Sequence, residues 1–383
     1  MSAPGVCRRS FAPIVARLAS LAFATAAAFS VAQTPPASDA GDRSPPVAEA
    51  TPAPPTVDIA LVLPLDAPAY ARAADAVREG FLAAAEAAGG SLRTKVYPHG
   101  EDGVLPAVEA ARAAGARVIV GPLVRDDVKV VAAMATELPY TIALNQLDEG
   151  TAAVPRLYTF ALSIESDARV IARRLSAEAA QAGSAAVLPA PGVVVISTDT
   201  PLLKRFATAF AAEWTMAGGS APGAYRFDGS PVAMTSMRRE IMRKPPGAVL
   251  LALDGASAAL MKPYLGALPA YASALVFERE TLAVARDLDG LVLVEIPWIV
   301  DPGARQFAAF PKREFASAAL TRLYALGLDA FRVAQAFGAG APESFTLEGA
   351  TGQVTLVDGH QFAREGRLAV FRTGQLTPLD GAR

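Results

Sequence analysis

From residue 57 onward, short apolar runs alternate with longer amphipathic segments, and no other feature of the chain limits its fold so tightly. The run 57–63 is almost wholly apolar, as in a strand buried on both faces. Pro64-Leu65-Asp66-Ala67-Pro68 ends it, and a helical segment follows over 68–88. There Ala74, Val77, Phe81 and Ala84 or Ala85 recur at helical spacing, and Gly89-Gly90 is the stop. Strands over 92–97, 117–120 and 140–144 then interleave with helices over 104–114 and 124–137. Alternation of this kind predicts a parallel sheet covered on both sides.

The pattern restarts with a helix over 164–181 and the strand 193–197, "VVVIS". Thr200-Pro201 reads as a cap followed by proline at the first position of a helix over 201–216. Strands over 224–227, 248–253, 274–277 and 291–294 and helices over 232–243 and 257–268 complete a second α/β unit with its own sheet. A long helix over 312–337 follows, with Phe315, Leu323, Tyr324, Leu328 and Phe331 on its apolar side and Gly327 permitting close packing. Beyond it, turn signals at Gly349, Asp358-Gly359 and Gly366 predict a terminal hairpin or pair of short strands.

At 383 residues the chain exceeds one ordinary core, so two lobes are expected. A formal net charge of −2 gives no basic excess, which argues against nucleic acid as a partner. Arg8, Arg9 and Arg17 precede an apolar stretch over 18–32 that is too short to span a membrane, and Ser30-Val31-Ala32 supplies small residues at its end. Residues 1–32 therefore read as a signal peptide cleaved near Ala32, with export to the periplasm. Arg8-Arg9 leaves both general secretion and twin-arginine export open. The sole cysteine, Cys7, precedes the apolar stretch, so no lipid-attachment cysteine follows the signal and no disulfide is expected. Residues 33–56, rich in Pro and Ala, read as a disordered linker. After signal cleavage no transmembrane segment is expected, and the protein reads as a monomer.

Catalytic signals are missing from the sequence. It has no H-E-x-x-H, no G-x-S-x-G and no phosphate-cradling loop, so no catalytic residue, metal or cofactor is expected. His99 and His360, the only histidines, occupy turn-like settings and read as solvated. Asp126-Asp127 point about 100° apart on a helix and read as its solvated, dipole-favoured start.

The stretches "VLPLDAP", "VIVGPL", "LYTFALSIESDA", "VEIPWIVDP" and "LEGATGQVTLVDG" resemble, in order, segments of the type I periplasmic binding proteins of the leucine-binding-protein-like group. "VLPLDAP" resembles that group's first strand and ligand-loop entry, and "VIVGPL" its third strand and turn. "LYTFALSIESDA", "VEIPWIVDP" and "LEGATGQVTLVDG" resemble the three crossovers between lobes. Within that group, "GPLVRDDV", "PYTIALNQ", "IPWIVDP" and "RLYALGLDAFRVAQ" ahead of "LEGATGQVTL" resemble the LppC-like penicillin-binding-protein activators. The resemblance implies an α/β fold of two Rossmann-like lobes with parallel sheets joined by a three-strand hinge. Lobe 1 would comprise 57–158 plus 302–345, and lobe 2 would comprise 159–301 plus 346–383. It also implies a non-catalytic regulator that binds a penicillin-binding protein and stimulates peptidoglycan synthesis. The alternative is a soluble receptor of an ABC importer for an amino acid or other small polar ligand. Family activators are typically outer-membrane lipoproteins and often carry a helical-repeat domain ahead of this part; here the Pro/Ala-rich linker stands there.

A cleft between the lobes would draw on strand-end residues. In amino-acid-binding relatives, hydroxyls and helix N-terminal amides hold the ligand carboxylate. The corresponding "IALNQLDEG" offers Asn145 and Gln146, with Asp148 and Glu149 nearby. A free carboxylate would be poorly served, and the amides would grip a neutral polar ligand or hold the lobes together. Asp66 and Tyr70 face a ligand, or Asp66 caps the following helix. Leu123 ends a Gly121-Pro122 turn, while Thr198, Asp199 and Asp254 serve as cleft groups or as caps. Trp298 either stacks on a sugar, a peptide or a partner, or packs the hinge. Glu295 beside it is a candidate for a displaced amine-binding acid.

Overall fold

The computed structural model describes residues 57–134, 138–148, 150–183 and 192–379. The expected signal peptide and linker lie outside the described residues. Strands β1 (Ile59–Leu63), β2 (Thr94–Pro98), β3 (Val118–Val120), β4 (Tyr140–Ala143) and β5 (Leu157–Phe160) lie parallel, and α1 (Ala71–Ala87), α2 (Leu105–Ala113) and α3 (Arg125–Ala132) connect the first four. After α4 (Ile164–Gly183), a second parallel set follows: β6 (Val193–Ser197), β7 (Gly223–Arg226), β8 (Ala248–Ala252), β9 (Ala270–Ala272) and β10 (Leu291–Glu295). Helices α5 (Pro201–Met216), α6 (Pro231–Arg243) and α7 (Gly255–Leu265) connect these strands. The chain then runs through α8 (Pro297–Val300), α9 (Ala318–Gln335), β11 (Thr346–Glu348), β12 (Gln353–Val357), β13 (Gln361–Glu365), β14 (Arg367–Arg372) and β15 (Gln375–Pro378).

The first sheet has the order β11-β12-β13-β5-β4-β3-β1-β2, and the second β15-β14-β10-β9-β8-β6-β7. Three passes connect them, from β5 to α4, from β10 through α8 to α9, and from β13 to β14. In the last pass a single residue, Gly366, separates the two strands, and a Cβ there would press on Val294 and the carbonyl of Glu295. No helix among the described residues is long and apolar enough to cross a membrane.

Three expectations need correction. The strand expected over 274–277 is a 3-10 turn, and the paired strand is β9, four residues earlier. The stretch 270–277 contains one polar residue, Ser273, so hydrophobicity alone does not locate the strand; pairing of Ala270–Ala272 between β8 and β10 does. The long helix starts at Ala318 rather than 312, because Ser317 Oγ accepts from the Leu320 amide as an N-cap. The terminal segment forms five strands, and residues 346–365 extend the first lobe's sheet instead of joining the second lobe. Phe362 anchors them there: its ring meets Phe345 edge-on at 5.4 Å and also touches Tyr158 and Phe337.

Helices α1 and α9 cross at backbone contact. A Cβ on Gly80 would overlap the carbonyl oxygen of Tyr324, and one on Gly327 would overlap that of Val77. This reciprocal notch sets Phe81 edge-on against Phe331 at 5.3 Å. Gly327→Ala is expected to destabilise the protein by about 1–2 kcal/mol, read as a lower urea midpoint. Overpacking of about 1–3 kcal/mol outweighs a helix-propensity gain of up to about 1 kcal/mol. A midpoint that rises would show that the helices can part without loss.

Candidate functional site

All three passes converge on a cavity of about 330 Å³ whose wall draws on both lobes. Asn145 and Gln146 enter it from the end of β4, and residues 161–165 from the first pass. Ser163 opens α4, its hydroxyl donating to Glu165 at 2.9 Å and accepting from the Ser166 amide at 3.2 Å. Arg205, on α5, donates through Nε to Glu165 at 2.6 Å.

Two buried ion pairs form a further part of the wall. Arg322, on α9 of the first lobe, donates to Glu295 at the end of β10 through Nε (3.1 Å to each oxygen) and Nη2 (2.6 Å). It also donates to Glu278 at 3.1 Å and to the carbonyls of Ala274 and Phe277 at 2.8 and 2.9 Å. All of these acceptors sit on the second lobe, so one side chain ties the lobes together. Arg364 of β13, in the first sheet, donates to Asp167 of α4 at 2.8 Å and to the carbonyl of Thr351 at 3.1 Å. Thr351 in turn donates through its amide and its hydroxyl to the buried Asp329 of α9, each at 2.7 Å. Burial pushes the Asp329 carboxyl up, against those hydrogen bonds. Burial likewise pushes Asp167 up, to about 6, against the pull of Arg364.

The lining carries four arginines, Arg125, Arg205, Arg322 and Arg364, against three carboxylates, Glu165, Asp167 and Glu295. Arg125 is also engaged, with Asp148 and the carbonyl of Leu147, both at 3.2 Å. An incoming charged ligand must therefore break a pair to form one. Two polar groups are free of that network: the Gln146 side chain makes no hydrogen bond within the described residues, and the buried Nε of Arg364 has no partner there. Among the described residues no group of His, Cys, Asp and Glu could hold a metal ion.

Of the nine residues expected at the cleft, the cavity wall includes Asn145 and Gln146. The Asn145 amide is already used, donating to the Leu123 carbonyl at 2.9 Å and accepting from the Gln146 amide at 2.9 Å. The Leu123 side chain belongs to the first lobe's core. Asp66 and Tyr70 are exposed and outside the wall, and Asp66 does not cap α1, which starts without a side-chain cap. Thr198 contacts Thr200 at 3.3 Å, while Asp199 is paired with Lys204 at 2.9 Å and with Arg226. Asp254 caps α7 by accepting from the Ser257 amide at 2.8 Å. Trp298 packs in the first lobe's core against Phe307 at 5.2 Å and Tyr324 at 5.7 Å.

Asp148 does not lend the cleft free negative charge, because Arg125 and Lys129 take it up; Glu149 lies outside the described residues. His99 is buried rather than solvated, with Asp127 3.8 Å away, and burial lowers its pKa. Asp127 is correspondingly not a freely solvated helix start: burial raises its pKa. His360 is half-buried beside Tyr158. The groups missed by the sequence reading are Arg322, Asp329, Asp167 and Arg364. Arg322 and Asp329 had a trace, being charges inside the apolar run "RLYALGLDAF", but their partners lie far away along the chain.

A family model described as "LppC putative lipoprotein" matches residues 52–245 and 229–374. The "Penicillin-binding protein activator LpoA" of Edwardsiella ictaluri is 25% identical over 331 residues, covering 74% of this chain and 46% of that protein. Its namesake in Enterobacter sp. is 26% identical over 342 residues, covering 77% and 46%. The chain thus spans about half the length of the curated relatives it matches. Among solved structures, the "LpoA (YraM) C-domain from Haemophilus influenzae, a regulator of PBP1A" superposes with a TM-score of 0.70 at 21% identity, covering 84% of this chain and 99% of that one. A "putative branched-chain amino acid ABC transporter" from Chromobacterium violaceum gives 0.68 at 28% identity, covering 82% and 100%. The two-lobed α/β fold is that of the type I periplasmic binding proteins.

Proposed function

The chain belongs to the LppC lipoprotein family, and from that premise we propose that it is a non-catalytic periplasmic regulator that activates a penicillin-binding protein in peptidoglycan synthesis by protein contact. The observation that carries this reading is the clasp of Arg322–Glu295 and Arg364–Asp167 across the cleft. A solute receptor works by closing its lobes around a ligand, with cleft groups left for that ligand to engage. Here the cleft's charged groups are bonded to one another, and lobes held in this way present a fixed outer surface. The relatives named as activators point the same way. The exported chain is expected to retain a bifunctional penicillin-binding protein of the same organism in a pull-down and to raise its rate of glycan polymerisation. Failure to bind any such synthase overturns the reading.

A receptor for a small polar ligand is the second reading, favoured by the free Gln146 amide and the unpartnered Nε of Arg364 at the cavity. Thermal-shift measurements with amino acids, amides and muropeptides separate the two. A true ligand at a hundred times its dissociation constant adds about 2.7 kcal/mol of stability. Under the activator reading none of these solutes shifts the melting temperature to that extent.

A further inference from the structure

Helix α6 carries a cationic face that nothing within the described residues neutralises. Arg238, Arg239, Arg243 and Lys244 fall within one short stretch at and just beyond its C-terminal end, with Glu240 the only acid among them. All five are exposed, and among the described residues none makes an ion pair. Elsewhere on the same lobe Arg226 and Lys204 share Asp199, and Arg173 reaches Glu213 and Glu365. At about 100° per residue, Arg238, Arg239 and Arg243 span one side of the helix together with Met242 and Val232, and Glu240 falls at its rim. Val232 is 80% exposed and Met242 46%. The opposite stripe, Met234, Met237 and Ile241, is buried in the second lobe's core. The whole chain has a formal net charge of −2, so this is a local field and not a reflection of overall charge.

We propose that the partner synthase docks on this face of α6 through an acidic surface patch; the inference rests on the activator reading above. Three of the four cations are arginines, whose planar forks match carboxylates bidentately. Arginine and methionine are among the side chains enriched at protein interfaces, with the aromatic residues. A helix that lies in a lipid surface inserts its apolar stripe, and that of α6 is already occupied by the core, which favours a protein over a membrane. Ser230 caps the helix by accepting from the Ala233 amide, so the charges are presented on a preformed scaffold.

The test is the dissociation constant for the bifunctional penicillin-binding protein of the same organism, measured from low to moderate salt with the full exported chain. Arg238→Glu/Arg239→Glu/Arg243→Glu is expected to weaken binding about tenfold or more and to flatten its salt dependence. The milder Arg→Gln set at the same positions should give an intermediate loss. A control that changes net charge equally at exposed cations elsewhere, Arg72→Glu/Arg286→Glu/Arg305→Glu, should bind within about twofold of wild type. Circular dichroism and melting temperature verify that each variant is folded. If the wild type does not bind the synthase, the activator reading and this inference fall together. If it binds, but the α6 and control variants are equally affected or equally unaffected, the docking face is wrong and the activator reading stands. If the α6 variant loses only binding to phosphatidylglycerol vesicles, the face is a membrane contact and the proposal is overturned.

Discussion

Arg322→Met is expected to lower stability by about 3–5 kcal/mol, far more than an ordinary surface substitution. The Glu295 side chain is completely buried, and with the guanidinium gone the one donor left to it among the described residues would be the Ile296 amide at 2.7 Å. The Ala274 and Phe277 carbonyls and one oxygen of Glu278 lose a donor in the same step. Breaking one side of a buried pair leaves an uncompensated charge, whereas replacing both sides by apolar groups of similar volume is often neutral. Arg322→Met/Glu295→Met should therefore recover much of the loss. Urea unfolding of the four proteins in the cycle measures the coupling, expected to reach about 2 kcal/mol for groups in direct contact. A single variant that loses under about 1 kcal/mol, or a double variant no better than the single, would show that the pair does not hold the lobes.

The sequence exposes those parts of the fold that rest on local pattern. Strands buried on both faces read as apolar runs, so β6 falls where the residues place it, and Pro201 at the first helical position places α5. The position of β9 depends on its neighbours β8 and β10, a tertiary fact that a uniformly apolar stretch does not encode. Alternation marks the terminal stretch as strand-forming, but as a hairpin or pair and without the sheet it joins; that choice is made by Phe362 packing into an aromatic cluster of the first lobe. Gln146, on the cavity wall, was reachable through the resemblance of "IALNQLDEG" to the carboxylate-holding segment of amino-acid-binding relatives. The clasp was not, since Arg322 and Glu295 are 27 residues apart and Arg364 and Asp167 are 197 apart, and no spacing rule joins such partners. Asp254 and Trp298 each had two open roles, and their capping and packing interactions account for them.

The second half of the clasp should reveal itself through pH. Burial, the largest influence on Asp167, raises its pKa to about 6; Arg364 opposes this and Glu295 adds to it. The folded protein thus holds this proton more tightly than the unfolded chain, where the ordinary value of 3.8 applies. The resulting stabilisation is fully present below the unfolded value and is lost as pH rises through about 6. Its full span is on the order of 3 kcal/mol, and about 2 kcal/mol of that falls between roughly pH 4.5 and 7.5. Whole-protein stability is a poor readout, because exposed carboxylates such as Asp148 and Asp199 are shifted the opposite way by their cation partners. The difference between wild type and Asp167→Asn isolates the group, since Asn keeps the shape and an acceptor for Arg364 but does not titrate. That difference, wild type minus variant, is expected to fall by about 2 kcal/mol from pH 4.5 to 7.5 in urea unfolding. A difference independent of pH would mean that Asp167 titrates alike in both states. One that grows with pH would mean that Arg364 outweighs burial and that the pair stays ionised across the whole range.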